Sequence, residues 1–442
     1  MNKKRTKKTL RMRMIAVGSF WIAAAFLAAC QFPAQPDQNK PDTAEIQEQE
    51  PTEPKEGQKE GTDRQEESRD PVQESGSQEE GHDPVQESRS QEASGADMED
   101  KLSSMSLEEK VAQLFFITPE ALTGMDSVTQ AGEDTKAALQ QYPVGGLIYF
   151  QGNLVTEQQV TDMIAAQQAY AKERIGLPLL IGIDEEGGQV ARIASCEGIE
   201  VPVFGDTSEL GASGDANRAY ETGEAIGAYL SRMGFNLDFA PVADVLTNPE
   251  NTVVKRRSYG SDPQVVSEMV DQNLKGLASH KVFGCIKHFP GHGATLGDTH
   301  NGYAYTDKTW EELKAADVVP FQSAIANGVS FVMVGHISLP NALSDDVPAS
   351  CSETVIQQYL REELGYQGIV LTDALNMGAV TEQYPSAQAA VKALVAGNDM
   401  LLMPADFKSA YQGILDAVAE GTVTEERIDE SVRRILKVKL AM

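Results

Sequence analysis

The feature that most constrains this chain is a recurrence: eight short apolar, β-branched runs, separated by longer stretches with helical patterning. The runs are Gln113–Ile117, Gly146–Phe150, Leu179–Ile183, Phe235–Phe239, Phe283–Lys287, Phe331–Val334, Gly368–Thr372 and Asp399–Met403. Between them the periodicity predicts helices over Thr156–Glu173, Ala216–Met233, Pro263–His280, Trp310–Asn327 and Ser352–Glu363. No Gly-rich dinucleotide turn follows an early strand, so an open doubly wound sheet fits less well than a parallel (β/α)₈ barrel. The fold expected for residues 98–442 is therefore α/β, a single TIM-type barrel.

Polar residues fall where such a barrel would build a site. Asp184 follows the third run, Asp238 lies in the fourth, Lys287 and His288 end the fifth, His336 follows the sixth and Asp373 the seventh. Barrel enzymes place their chemistry at the carboxyl ends of strands. Strand ends also meet water and turn polar for that reason alone, which accounts for one or two such positions more easily than for five.

Residues 287–300 read Lys-His-Phe-Pro-Gly-His-Gly-Ala-Thr-Leu-Gly-Asp-Thr-His, a Gly-rich loop holding three of the six histidines. His288, His292 and His300 with Asp298 have the donor types of a zinc site, but Pro290 and the glycines deny them a helix face, so no metal is expected. The Asp298–His300 spacing suits a different task. A carboxylate two residues from a histidine fixes the tautomer of the imidazole and raises its basicity, leaving the second nitrogen for substrate, which makes a general acid/base pair. Asp373, after four apolar residues and a threonine, either caps the next helix or presents a carboxylate nucleophile for glycosyl transfer. His336 either lines the same pocket or packs.

Five ordered motifs then carry a resemblance. Gly-Ile-Asp-Glu-Glu-Gly-Gly-Gln-Val-Ala-Arg (182–192), Asp-Phe-Ala-Pro-Val-Ala-Asp-Val (238–245), Arg-Arg-Ser-Tyr-Gly (256–260), the 287–293 run with Asp298 and His300, and Leu-Thr-Asp-Ala-Leu-Asn-Met (371–377) resemble glycoside hydrolase family 3, in its β-N-acetylglucosaminidase branch. The resemblance implies Asp373 as nucleophile, His300 as proton donor and Asp298 as its orienting residue. It further implies that Asp184, Arg192, Arg257, Lys287 and His288 bind the terminal sugar, an amino-sugar glycoside, without a cofactor. This branch uses a loop histidine where other members use a glutamate from a second domain. Ala294, Thr299, Thr372 and Ala374 depart from the usual pattern, and none of them removes a reacting group. Two alternatives stay open: a phosphorylase, since a histidine does not repel phosphate as a carboxylate would, and a sugar-binding protein without turnover.

The N-terminus reads differently. Residues 1–13 hold seven Lys/Arg, Met14–Ala29 are uncharged, and Leu27-Ala28-Ala29-Cys30 resembles a bacterial lipoprotein signal. Residues 1–29 are thus expected to be a signal peptide, with Cys30 as the lipidation site. Residues 30–97 hold 19 acids and six bases with few large apolar side chains, and are expected to form a disordered acidic tether. The leader carries +7 and the tether −13, leaving −23 of the total −29 on the rest. That excess argues against nucleic acid, and against any membrane contact except through the N-terminal lipid. Cys196, Cys285 and Cys351 are too widely spaced for a disulfide framework. A monomeric, extracytoplasmic, lipid-anchored protein is expected. The mature chain is then predicted to begin at Cys30 and partition with membranes, and Cys30→Ser to impair lipidation and normal signal processing; mass spectrometry finding an unmodified Cys30 with the leader attached in the natural chain would refute this.

Overall fold

The computed structural model describes residues 95–297, 304–344 and 347–442. The expected signal peptide, Cys30, nearly all of the tether, Asp298 and His300 lie outside them. All eight apolar runs become strands: β1 Phe115–Ile117, β2 Gly146–Tyr149, β3 Leu180–Ile183, β4 Leu237–Asp238, β5 Phe283–Phe289, β6 Phe331–Val334, β7 Ile369–Thr372 and β8 Leu401–Leu402. Their order is β7-β6-β5-β4-β3-β2-β1-β8, with parallel pairing throughout. β7 and β8 meet through a parallel bridge between Leu371 and Met400, with the Thr372 N–H donating to the Met400 carbonyl at 3.1 Å. The sheet is thereby closed into a (β/α)₈ barrel.

Helices follow the strands as expected, with boundaries set by local chemistry. Thr156 accepts from the Gln159 N–H to open Glu157–Ile175, and Gly176, at φ 68°, closes it in a left-handed conformation that only glycine adopts without strain. Pro263 follows the Asp262 cap and starts Pro263–Ser279. One expectation fails. The predicted helix over Trp310–Asn327 is broken into Trp310–Ala315 and Val319–Ala326. Pro320 sits in the first turn of the second piece, where its missing N–H costs nothing. The break turns Asp317 inward, fully buried, to accept from Thr247 at 2.7 Å and Lys308 at 2.5 Å. A further helix covers 95–104, beginning just ahead of the expected boundary at Met98. Among the described residues no helix is long and apolar enough to cross a membrane.

The barrel is a packed core, not a pore. Phe116 of β1 is fully buried and meets Phe239 edge-on at 5.2 Å. Space for the two rings comes from β2 and β3: a Cβ on Gly146 would lie 2.5 Å from the Phe116 ring, and one on Gly182 2.7 Å from the Phe239 ring. At the opposite end from the strand C-termini, buried Asp399 holds Arg361 at 2.5 Å and Arg434 at 2.9 Å, tying the last helix, Glu425–Leu440, to the barrel. Phe116→Ala should remove the central plug and destabilise the barrel by roughly 3–5 kcal/mol. Chemical denaturation of the purified protein checks it, and a loss below about 1 kcal/mol would show that the barrel interior collapses around the gap.

Candidate active site

A pocket of about 490 Å³ opens at the carboxyl end of the strands, where barrels assemble their sites. Asp184, Glu186, Arg192, Arg257, Lys287, His288 and Asp373 line it, with Phe150, Met333 and Met377 supplying apolar surface. These residues come from strands and loops far apart in sequence, and the barrel brings them together.

Four charges form its floor. The Lys287 ammonium, with a side chain only 3 % exposed, bridges Asp184 Oδ1 and Glu186 Oε1, both at 2.7 Å. Glu186 in turn receives Arg257 in a two-pronged contact, Nε to Oε2 at 2.8 Å and a terminal nitrogen to Oε1 at 2.7 Å. Burial would push the Glu186 carboxyl up, but Arg257 and Lys287 overcome it and hold the group far below the usual carboxylate range. Burial likewise opposes the charge on Lys287, and Asp184 and Glu186 reverse that and raise it. Arg192 stands 3.8 Å from Asp184 Oδ2 and 5.6 Å above the centre of the Phe150 ring, a cation–π distance. Its Nε–H is buried with no acceptor among the described residues.

His288 is oriented from behind. Its Nδ1 lies 2.7 Å from Asp244 Oδ2. Burial would raise the Asp244 carboxyl, but His288 and His292 reverse this and keep it low, so it accepts, and Nδ1 carries the proton. In the neutral ring Nε2 is then left as an acceptor. The same carboxylate takes two backbone N–H groups with Oδ1, from His288 at 3.1 Å and His292 at 2.6 Å. Asn251 donates to the His292 carbonyl and Asn248 to the Thr295 carbonyl, each at 2.8 Å. The loop after β4 thus clamps the root of the loop that leads to residues 298–300.

Asp373, directly after β7, faces the pocket. Its N–H donates to the Val334 carbonyl at 2.9 Å, and its Oδ1 accepts from the Ala374 N–H at 2.7 Å. It does not cap the next helix, Gly378–Thr381, whose cap position is Met377. Burial would raise its carboxyl; His288, His336, the Ala374 N–H and Lys287 outweigh burial and hold it below the ordinary aspartate value. The barrel therefore presents an ionised carboxylate at the pocket wall.

Of the residues singled out in the sequence, Asp184, Arg192, Arg257, Lys287, His288 and Asp373 share this pocket. Asp298 and His300 lie outside the described residues. Asp238, which the strand-end pattern placed with them, is a correction: it is fully buried beneath the pocket and accepts from the Glu185 N–H at 3.0 Å. His336 is 1 % exposed and stands behind Asp373, not in the lining. Cys196, Cys285 and Cys351 are free thiols. Sequence reading missed Glu186 and Asp244. Glu186 lies two residues after Asp184, a spacing that puts both carboxylates on one face of extended chain. Asp244 sits inside a quoted motif, but its partners are 44 and 48 residues away.

Residues 106–438 match the family profile described as the glycosyl hydrolase family 3 N terminal domain. The chain is 32% identical over 338 residues to β-hexosaminidase A of Pseudoalteromonas piscicida, covering 71% of this chain and 56% of that one. It is 31% identical over 346 residues to a β-hexosaminidase of Mycobacterium tuberculosis, covering 76% and 83%. A solved glycoside hydrolase family 3 β-N-acetylglucosaminidase from Paenibacillus sp. str. FPU-7 superposes with a TM-score of 0.71 at 38% identity, over 76% of this chain and 62% of that one. The chain thus spans little more than half of the Pseudoalteromonas relative and under two thirds of the Paenibacillus protein.

The buried charges carry a pH signature. Because the folded-state pKa of Glu186 is depressed, its contribution to stability is present above the unfolded value of about 4.5 and is lost as pH falls below it. Glu186→Gln should cost roughly 3–5 kcal/mol at neutral pH by leaving Arg257 and Lys287 underpaired, and should flatten the acid limb of the stability curve. Melting curves between pH 3 and 8 check this, and parallel curves for the two proteins would count against it.

Proposed function

The chain belongs to glycosyl hydrolase family 3, and we propose that it is a retaining exo-β-N-acetylglucosaminidase. It removes terminal β-linked N-acetylglucosamine through a covalent glycosyl-enzyme on Asp373, with His300 as acid/base and Asp298 orienting it. The observation that carries this reading is Asp373 itself, an ionised carboxylate held at the wall of a pocket floored by paired charges. Relatives named β-hexosaminidases support the amino-sugar class.

Asp373 attacks the anomeric carbon as the glycosidic C–O bond breaks, and the departing oxygen takes a proton from His300. His300, now a base, takes a proton from water, which attacks the same carbon and releases the Asp373 carboxylate. The second displacement restores the starting configuration. Asp184 accepts from sugar hydroxyls, and His288 bonds them through Nε2. Lys287, Arg257 and the unpartnered Arg192 Nε–H donate. Water is favoured over phosphate as acceptor because the positive charges of Lys287, Arg257 and Arg192 are offset by Asp184 and Glu186. The proposal includes lipid anchoring at Cys30, which holds the barrel outside the cell membrane. Peptidoglycan-derived fragments are the substrates proposed there.

Asp373→Ala should lower turnover of an aryl N-acetyl-β-glucosaminide by several orders of magnitude with the fold intact. His300→Ala should slow poor leaving groups far more than activated aryl glycosides, and Asp298→Asn should act the same way but less severely; both should shift or remove the basic limb of the pH profile. Equal losses for good and poor leaving groups in His300→Ala would reject its role. Sugar 1-phosphate as the main product in phosphate buffer would replace the hydrolase reading with the phosphorylase one.

A further inference from the structure

Behind Asp373 runs a chain of hydrogen bonds that the catalytic assignment does not use. His336, between β6 and the short strand Ile337–Ser338, is 1 % exposed and absent from the pocket lining, so it does not meet substrate. Its Nε2 lies 3.0 Å from the Ala374 carbonyl oxygen. A carbonyl only accepts, so Nε2 carries a proton. Its Nδ1 lies 2.7 Å from Ser350 Oγ, and in the neutral ring this nitrogen accepts from the hydroxyl. Ser350 is itself fixed and fully buried: its N–H donates to the Gly335 carbonyl at 3.2 Å, and its carbonyl accepts from Asn398 Nδ2 at 2.8 Å. At the other end, Ala374 gives its N–H to Asp373 Oδ1 at 2.7 Å.

We infer that His336, its ring held at Nδ1 by Ser350, is a positioning residue for the nucleophile. It acts through Ala374, the residue whose N–H aims one carboxylate oxygen of Asp373 and leaves the other for the anomeric carbon. The inference rests on the assignment of Asp373 as nucleophile. With the ring neutral, the donors run from the Ser350 hydroxyl to His336 Nδ1, from His336 Nε2–H to the Ala374 carbonyl and from the Ala374 N–H to Asp373. The Ala374 carbonyl also accepts from the Met377 N–H at 3.1 Å, so residue 374 is gripped from the β6 loop and from its own turn at once. Losing the His336 bond removes the grip that crosses between strands. Misplacement of a reacting group by about 1 Å costs up to roughly 100-fold in rate, which sets the scale of the expected effect.

The test uses an activated fluorosugar that forms the glycosyl-enzyme faster than it is released, with the labelled residue located by peptide mass spectrometry. In the natural chain the label should fall on Asp373. His336→Leu should slow labelling and kcat by roughly 10- to 100-fold with KM little changed. The loss should be the same for good and poor leaving groups, since orientation of the nucleophile matters to both; this separates His336 from a proton donor. His336→Gln, whose amide nitrogen reaches the place of Nε2, should recover labelling to within a few-fold of the natural chain. Ser350→Ala, which frees the ring at Nδ1 without emptying the site, should slow labelling several-fold. If His336→Leu fails to fold, the last two variants decide the matter. Labelling of Asp373 at the natural rate in Ser350→Ala, or a glutamine variant no faster than the leucine or alanine variants, would overturn the positioning role while leaving the nucleophile intact. A label on any other residue of the natural chain would overturn the nucleophile assignment and this inference with it.

Discussion

The site depends on one interaction, the ammonium of Lys287 bridging Asp184 and Glu186. A lysine this deeply buried would lose its charge without partners, and two carboxylates this close would repel without a cation between them. Each makes the other tenable, and Arg257, gripping the far side of Glu186, completes the arrangement. The cost of dehydrating these groups is met only because β5 carries Lys287 alongside the loop that follows β3. The barrel is what makes that meeting possible, since the salt-bridged pairs are separated by 71 to 103 residues of chain.

From this floor the electrostatics extend upward. Lys287 and His288 contribute to keeping Asp373 ionised despite its burial. His288 is itself set by Asp244, which spends its other oxygen on the backbone of the 288–292 turn. A single buried aspartate therefore orients the ring of His288 and fixes the 288–292 turn. Two of the departures from the family pattern, Thr372 and Ala374, flank Asp373. Thr372 uses its hydroxyl to accept from the Leu402 N–H at 3.0 Å, bracing β7 against β8 beside Asp373.

The barrel was legible because strand burial writes itself into sequence as apolar runs, and all eight runs pair in the sheet. Their ladders are shorter than the runs, as at Phe235–Phe239, where only Leu237 and Asp238 ladder although both phenylalanines are buried. Apolarity marks burial, not hydrogen bonding. The same limit explains the misreading of Asp238: a polar residue at a strand end was taken to face the pocket, whereas this one turns under it toward the Glu185 backbone. The convergence of Asp184, Arg192, Arg257, Lys287, His288 and Asp373 was readable as ordered motifs. Glu186 and Asp244 were not, because their importance lies in partners that only the folded chain supplies. The unbroken helix expected over 310–327 failed for a local reason, Pro320 acting with an inward-turning Asp317.

The central claim is double displacement at Asp373, and its stereochemical outcome tests it most directly. Proton NMR of the first minutes of hydrolysis of an aryl N-acetyl-β-glucosaminide, faster than mutarotation, reads the anomer as it is released. The account predicts that β-N-acetylglucosamine appears first and equilibrates later with the α form. Initial release of the α-anomer would mean a single direct displacement by water, and would contradict a covalent intermediate on Asp373.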